Sequence, residues 1–358
     1  MDKKYNESIN KFLGSINDTR STANFIANIT KPIENIHDFY IKHEVFSSKE
    51  HIIDQFPIKK HTDRIGVLIQ GPIFHKLEFT ITTVRMYIQL FKNPIIVIST
   101  WNNDDTSGFN IFDENNVIII KNDPPKQKGF LNLNNQIVST IEGLNVLKKY
   151  GVKYAFKTRT DTRIQYENVD DFMLTLLEAF KLGDKEKLNQ NSRIVILDMF
   201  TFKYVPFHFS DILQFGHIND LIDYWNVELS NKRMRKSELY ILLEKGFRIC
   251  DEINHQESEV YLGTKYAKSK EPSFIYDYEN YYKMLSKRFI VIDSSMIGLL
   301  WNKCTISGWQ CYTAHESKLC QTILFKDWIL LSQGIIDIKS LNNRYEEKLN
   351  QCRMYNIR

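Results

Sequence analysis

The sequence is poor in cysteine and lacks the cysteine spacing of a metal site. Only five of its 358 residues are cysteines, and no two of them form a Cys-x-x-Cys pair: Cys250, Cys304, Cys311, Cys320 and Cys352. An odd set without that pair fits neither a disulfide framework nor a tetrahedral zinc site. We therefore expect free thiols.

Long hydrophobic runs are also missing. The best candidate, residues 289–301, is interrupted by Asp293 and two serines, whereas a membrane-spanning helix needs about 20 apolar residues in succession. The polar start of the chain contains no apolar core of a secretory signal. These absences predict a cytoplasmic protein, with at most peripheral association with the inner face of the cytoplasmic membrane.

A strong net charge is the third feature that the chain lacks. Lys and Arg total 47 and Asp and Glu total 43, so the formal net charge is +4. That is too small for a general nucleic-acid-binding surface, and any phosphate binding must be local. The composition, with 43% hydrophobic and 25% charged residues, is otherwise typical of a folded globular protein.

Short apolar runs alternate with helical patterns along the chain. Runs that end in turn signals predict five buried strands, at residues 65–69, 95–98, 117–120, 154–158 and 194–197. This alternation predicts an α/β fold with a mostly parallel central sheet covered on both faces. Such sheets bind their ligands beyond the carboxyl ends of the strands.

Two helices are predicted between these strands. The first covers residues 79–91, and its apolar face consists of Ile81, Val84, Ile88 and Phe91. The second is predicted to begin near Asn132 as its N-cap, with Asn134 on the polar face.

Four charged residues alternate at the end of the fourth strand: Lys157, Arg159, Asp161 and Arg163. Because alternate residues of an extended chain share a face, the pattern predicts that all four point the same way. They either form ion pairs on a solvated edge strand or face a cleft, since an uncompensated buried charge is costly. We favour a cleft, in which Asp161 would hold a metal, a sugar hydroxyl or one of the arginines.

Five short motifs follow one another between residues 64 and 165: Ile69-Gln70-Gly71-Pro72, Ser99-Thr100-Trp101, Asn122-Asp123-Pro124, Asn134-Asn135-Gln136 with Ser139-Thr140 and Gly143-Leu144, and Lys157-Thr158-Arg159-Thr160-Asp161. In this order they resemble the WavE lipopolysaccharide-synthesis family of bacterial glycosyltransferases. The segment from Pro206 to Gly216 is similar to a later part of that family. The resemblance implies a GT-A type fold, a nucleotide-binding α/β sandwich. It also implies transfer of a sugar from a nucleotide-sugar donor to an oligosaccharide or lipid-linked glycan acceptor in lipopolysaccharide or capsule synthesis.

The chain is accordingly predicted to have three segments. Residues 1–62 form a helical N-terminal extension, residues 63–200 a nucleotide-sugar-binding half, and residues 201–358 an acceptor-side half continuous with it.

Donor binding is predicted for residues at strand ends and on the second helix: Gln70, Gly71, Pro72, Trp101, Asp123, Gln136, Thr140, Lys157, Arg159, Asp161 and Arg163. Gly71 would allow the backbone to approach the nucleotide closely, and Trp101 and Asp123 could contact base and ribose. The alternatives are an ordinary turn at Gly71, core packing of Trp101 and a solvated helix surface at Gln136.

Two departures from the family pattern concern the phosphates. GT-A enzymes commonly carry Asp-x-Asp, but this chain has Asp161 as its single carboxylate there. Asp161 could still join a diphosphate and water around Mg²⁺ or Mn²⁺; alternatively, Lys157, Arg159 and Arg163 could balance the diphosphate without a metal. Asn135 also stands where the family pattern suggests arginine, which removes one phosphate partner.

Transfer with inversion needs a carboxylate base for the acceptor hydroxyl. The candidates are Asp211, Glu257 and Glu259. We favour Glu259, because Glu-x-Tyr before an apolar segment resembles an acidic motif on the acceptor side of many GT-A enzymes. Inversion is the favoured course, and retention stays open.

Two functions other than glycosyl transfer are open to a chain with this sequence. A nucleotidyl- or phosphosugar transferase using the same cleft would need a glycine-rich loop near the first strand, where the sequence has only Gly66 and Gly71. A catalytically silent glycan-binding protein would need a row of exposed aromatic residues or a dense basic face, and neither is visible in the sequence.

Overall fold

The computed structural model describes residues 63–231, 258–302 and 322–336. Within these ranges, the central sheet contains seven strands: β1 (Ile65–Gln70), β2 (Ile95–Trp101), β3 (Val117–Asn122), β4 (Tyr154–Arg159), β6 (Ile194–Leu197), β7 (Gln214–His217) and β8 (Phe289–Ile292). Two shorter strands, β5 (Thr162–Arg163) and β9 (Leu300–Trp301), pair with each other. All five predicted strands are present, and each ends at or just beyond its predicted residue.

All strands of the large sheet except β7 run in the same direction. Their order is β3-β2-β1-β4-β7-β6-β8, and β7 is antiparallel to both β4 and β6. Every residue of β1 and β2 is buried, so both faces of the sheet are covered there, because successive side chains point to opposite faces. The predicted α/β fold with a mostly parallel sheet is confirmed.

The described helices are α1 (Phe79–Leu90), α2 (Leu133–Lys149), α3 (Val169–Ala179), α4 (Ile218–Trp225), α5 (Ser258–Lys270), α6 (Tyr278–Arg288) and α7 (Phe325–Ser332). Both predicted helices are confirmed, as α1 and α2. The face of α1 is shifted, because Tyr87 is buried in place of Ile88, which is 40% exposed. Asn132 precedes α2 as predicted, but its side chain makes no capping hydrogen bond.

The prediction that Asn134 lies on the polar face of α2 is wrong. Asn134 is buried, and its amide donates to the carbonyls of Gln127 and Ser230, both at 2.9 Å. Its carbonyl oxygen accepts from the backbone N–H of Ser230 at 2.8 Å. These bonds compensate the burial of the amide and tie the segment after α4 to the start of α2.

The chain turns at Thr160 and Asp161, so the prediction that an extended chain continues to Arg163 with all four charges on one face is wrong. β4 ends at Arg159, and β5 begins a second sheet at Thr162, opposite Trp301. The hydroxyl of Thr162 bonds the backbone of Arg159 at both its N–H (3.2 Å) and its carbonyl (3.1 Å), which closes the turn. Alternation therefore breaks after Arg159, and the four charges do not share one face.

The sheet joins the two halves that the sequence predicts. Strands β7 and β8 come from residues 201–358, but they pair with β4 and β6 from residues 63–200. The boundary near residue 200 stays a prediction.

The predicted extension at residues 1–62 and all five cysteines lie outside the described residues. Across the described ranges, no helix combines the length and the hydrophobicity needed to cross a bilayer.

Candidate functional site

A cleft of about 630 Å³ opens at the carboxyl ends of β1, β2 and β4. Its wall includes seven of the predicted donor-binding residues: Gln70, Gly71 and Pro72 after β1, Trp101 at the end of β2, Gln136 on α2, and Arg159 and Asp161 at the end of β4. Parallel neighbours end at the same sheet edge, which is why residues about 90 positions apart meet here. The position of the cleft agrees with the sequence prediction.

Gly71 has a backbone conformation that side chains disfavour. Its φ is +115°, and a Cβ atom built at this position would lie 3.2 Å from Thr160 Oγ1. The Gly71 N–H donates to the carbonyl of Ser99 at 3.0 Å, so the loop after β1 remains bonded to β2. Glycine is therefore required by the bend that opens the cleft.

The turn at Thr160 is bonded to the elements on both sides. Its N–H donates to the carbonyl of Gln70 at 3.1 Å, and its hydroxyl donates to the carbonyl of Pro72 at 2.6 Å. Its own carbonyl accepts from the hydroxyl of Thr80 at 3.0 Å. These bonds hold the end of β4 against the loop after β1.

Arg159 and Asp161 form a two-point ion pair in the wall of the cleft. Arg159 Nε donates to Asp161 Oδ1 at 2.9 Å, and Arg159 Nη2 donates to Asp161 Oδ2 at 3.1 Å. The guanidinium carbon also lies 5.7 Å from the ring centroid of Trp301. Burial acts to lower the pKa of Arg159, but Asp161, Asp211 and Glu259 raise it above its ordinary value. The guanidinium is therefore a fixed positive charge at the cleft.

Lys157 lies deeper than the cleft. It is fully buried, its Nζ donates to the backbone carbonyl of Asp211, and the same atom lies 4.4 Å from the ring centroid of Trp225. Burial lowers the pKa of Lys157 to about 8, although Asp211 and Glu259 oppose this shift. The structure places Lys157 among side chains behind the cleft wall.

Three other predicted donor residues are also absent from the described lining. Arg163 Nε donates to the hydroxyl of Thr83 and its Nη2 to the carbonyl of Phe79, both at 2.9 Å. Asp123 is exposed and accepts from the side-chain amide of Asn102. Thr140 is buried on α2. Their donor-binding roles stay predictions that this arrangement does not favour.

Two base candidates, Asp211 and Glu259, lie close to these charges. Both affect the pKa values of Lys157 and Arg159. Asp211 is buried, whereas the Glu259 side chain is 16% exposed and has Oε2 at 3.9 Å from His208 Nε2. The third candidate, Glu257, lies outside the described residues. Glu259 is therefore the more accessible of the two, and neither is among the described lining residues of the cleft; their role as base stays a prediction.

The residues of the cleft do not fit a metal held mainly by the protein. Both oxygens of Asp161 accept hydrogen bonds from Arg159, and one oxygen of Asp104, the other lining carboxylate, accepts from the hydroxyl of Thr100 and the N–H of Ile73. Among the residues that the structure describes, no three His, Cys, Asp or Glu side chains come together as a metal site.

Several lining residues were not assigned a role from sequence. These are Asn103, Asp104, Lys128 and Asn135. Ser139, behind the wall, was also missed, and its hydroxyl donates to Gln70 Oε1 at 2.8 Å. Asn135 and Ser139 are one helical turn apart, so their spacing in the sequence indicated that both lie on the same side of α2. No sequence signal placed Trp301 beside Arg159.

A family model described as WavE lipopolysaccharide synthesis matches residues 65–348. A cytidylyltransferase structure from Leptospira borgpetersenii serovar Hardjo-bovis has a TM-score of 0.30 and 12% identity, over 55% of this chain and 74% of that chain. A structure described as a glucose-1-phosphate thymidylyltransferase from Bacillus anthracis, in complex with sucrose, has a TM-score of 0.28 and 9% identity, over 56% and 96%. No curated protein matches the chain. These TM-scores are too low to indicate a shared function.

Proposed function

Because the chain belongs to the WavE lipopolysaccharide synthesis family, we propose that it is a glycosyltransferase of bacterial surface-polysaccharide synthesis. Its donor is a nucleotide sugar, and its acceptor is an oligosaccharide or lipid-linked glycan. The GT-A assignment, the cytoplasmic location and the contribution to capsule synthesis belong to the same proposal.

The observation that carries this proposal is the position of Arg159. Its guanidinium lies in the wall of a cleft at the carboxyl edge of a parallel sheet, and its orientation is set by Asp161. A guanidinium of this kind matches the paired oxygens of a diphosphate. Lys128 is a second cation among the described lining residues.

The reaction is a displacement at the anomeric carbon. The acceptor oxygen forms a bond to that carbon while the bond from the same carbon to the diphosphate oxygen breaks. The leaving nucleoside diphosphate takes the bonding electrons, and its new negative charge is stabilised by Arg159. The acceptor proton passes to the carboxylate of Glu259, and direct displacement inverts the anomeric centre.

The rival nucleotidyltransferase function is less well supported by the loop after β1. Gly66 lies within β1, where a Cβ atom would come 2.8 Å from Val152, so it is a packing residue. Gly71 is then the single glycine of the segment between β1 and α1. A glycine-rich pyrophosphate loop is therefore missing from this segment.

A binding panel tests the proposal. UDP, GDP, CMP and TDP are added to the full chain, with Mn²⁺ or with EDTA, and the melting temperature is measured. A ligand at a hundredfold excess over its Kd adds about 2.7 kcal/mol, which is a shift of several degrees. We expect one nucleotide to stabilise the protein in EDTA as well, because Arg159 supplies the charge.

Turnover of the matching nucleotide sugar is then measured with a lipid-linked or oligosaccharide acceptor. Release of free nucleoside diphosphate with glycan product supports the proposal. Release of pyrophosphate from a nucleoside triphosphate supports a nucleotidyltransferase instead, and no shift with any nucleotide supports the glycan-binding alternative.

A further inference from the structure

Three of the five side-chain amides among the described lining residues of the cleft lie on two neighbouring elements, β1 and α2. They belong to Gln70 at the end of β1 and to Asn135 and Gln136 on the first turn of α2. We call this set the amide wall. Its members carry no charge, in contrast to Lys128 and Arg159 in the same cleft.

Polar atoms of the amide wall lack partners within the described residues. Asn135 Oδ1 and Gln136 Oε1 are buried and accept no hydrogen bond there. Gln70 is only 4% exposed; its Oε1 accepts from Ser139, and its Nε2 has no hydrogen bond to any described residue. Unsatisfied buried polar atoms are costly, so their presence in a cleft wall indicates a ligand that bonds them.

Whichever way each amide is turned, it offers one acceptor oxygen and one donor N–H₂ group, and the ligand that suits the wall must match both. Carbonyl oxygens accept hydrogen bonds only, and neither a diphosphate nor an ionised carboxylate has a proton to donate at neutral pH. A hydroxyl group both donates and accepts, so it can satisfy the oxygens of Asn135 and Gln136 as well as the N–H₂ of Gln70. The amide wall is suited to a polyhydroxylated, uncharged group.

From these observations, and on the basis of the function proposed above, we infer that the amide wall is the sugar subsite and that it selects an uncharged sugar. Arg159 and Lys128 bind the phosphates of the donor, and the amide wall forms hydrogen bonds with the hydroxyl groups of its sugar. The side chains of Gln70, Asn135 and Gln136 are uncharged, so the wall itself provides no cation to pair with the carboxylate of a uronic acid.

Ser139 is a positioning residue for this subsite. Its hydroxyl lies 2.8 Å from Gln70 Oε1 and 2.9 Å from the backbone carbonyl oxygen of Asn135, so the one side-chain amide of the wall that it contacts is that of Gln70. Bonding at one end of the Gln70 amide directs the other end, Nε2, away from Ser139. The serine is completely buried and acts on a ligand only through the wall.

The experiment measures dissociation constants by calorimetry on the full chain. The nucleoside diphosphate that binds best is compared with its neutral and its uronic sugar conjugates, such as UDP-glucose, UDP-galactose and UDP-glucuronic acid, or GDP-mannose and GDP-mannuronic acid. We expect at least one neutral conjugate to bind about tenfold more tightly than the acidic one. Equal or tighter binding of the uronic conjugate overturns the inference while leaving the proposed function intact.

Substitutions in the amide wall test whether it binds the sugar of the conjugate. Asn135→Ala and Gln136→Met are expected to weaken binding of the neutral conjugate about tenfold and to leave binding of the nucleoside diphosphate unchanged. Asn145→Ala, an exposed asparagine on the same helix, is the matched control without effect. Equal weakening of both ligands shows that the amides contact the nucleotide and overturns the inference.

A double-mutant cycle tests Ser139. Ser139→Ala is expected to weaken conjugate binding in the wild-type background but not in Gln70→Ala, and Ser139→Thr should restore it. An effect of equal size in both backgrounds excludes action through Gln70. Absence of nucleotide binding by the wild-type chain is a different result, since it refutes the proposed function itself.

Discussion

Arg159 and Asp161 face each other across a tight turn, with two parallel hydrogen bonds of 2.9 and 3.1 Å between guanidinium and carboxylate. The Asp161 side chain is 6% exposed and that of Arg159 17%. The carboxylate therefore orients the cation, and the cation remains in contact with the cleft. Each residue depends on the other, and substitution of each has a distinct expected result.

Replacement of Asp161 by asparagine should reduce turnover and leave the fold intact. The amide keeps the size of the carboxylate, but it has one acceptor oxygen instead of two and no negative charge, so the guanidinium loses its fixed orientation. We expect a hundredfold or greater loss of kcat with a melting temperature within a few degrees of wild type. Asp184→Asn, at an exposed site, is the control. Unchanged turnover would refute the role of Asp161.

Replacement of Arg159 should act on nucleotide binding. Lysine retains the charge but loses the two-point geometry, and methionine loses both. We expect the Kd of the nucleoside diphosphate, measured by calorimetry, to rise about tenfold in Arg159→Lys and about a hundredfold in Arg159→Met, which corresponds to about 1.4 kcal/mol per tenfold step. Wild-type affinity in Arg159→Met would show that the phosphates bind elsewhere.

Glu259 and Asp211 can be distinguished as bases by kinetics. Glu259→Gln should lower kcat by about 10² to 10⁴ and leave the donor Kd unchanged, because the side chain acts on the acceptor proton. Asp211→Asn should retain turnover within tenfold and lower stability, since Asp211 is buried and opposes the shift in the pKa of Lys157. The reverse order of kcat values would identify Asp211 as the base.

A side chain at Gly71 should destabilise the protein. The φ of +115° and the approach of 3.2 Å to Thr160 Oγ1 predict a loss of about 1–3 kcal/mol in the free energy of unfolding of Gly71→Ala. Gly151 has a φ of +73° and nothing within 4 Å of the added Cβ, so Gly151→Ala should lose only about 1 kcal/mol. Urea titration measures both, and equal losses would mean that the contact with Thr160 has no effect.

Lys157 should make stability depend on pH. Burial lowers its pKa to about 8 in the folded chain, whereas the ordinary value is 10.5, so the unfolded chain binds more protons between these values. The free energy of unfolding should therefore rise with pH from about 8 to about 10.5. The rise should be absent in Lys157→Met, measured by urea titration at each pH. Identical pH profiles for the two proteins would contradict this assignment.

Features that depend on residues adjacent in the sequence could be predicted. The strands beginning at Ile65 and Ile95 are continuous apolar runs bounded by turn residues, and α2 has a clear apolar stripe, so these elements were predicted with little error. Because parallel strands share an edge, the position of the cleft followed from the strand ends. Gln70, Trp101 and Arg159 were placed at it for this reason.

Features set by distant contacts could not be predicted. Asn134 is buried because Ser230, 96 positions away, satisfies its amide. Lys157 was assigned to the cleft because the pattern through Arg163 looked like one strand, and the turn at Thr160 contains neither glycine nor proline to indicate a bend. The antiparallel direction of β7 depends on pairing with β4 and β6, which a single sequence does not reveal.

The bonds around Thr160 have a consequence for the thermodynamics of ligand capture. The turn is already braced by Gln70, Pro72 and Thr80, so the floor of the cleft has little conformational entropy to lose when a ligand arrives. Such preorganisation reserves more of the contact energy for affinity. The Thr160 hydroxyl thus holds the turn in its binding conformation. Its removal would increase the conformational entropy lost on binding and so lower the affinity for every ligand of the cleft.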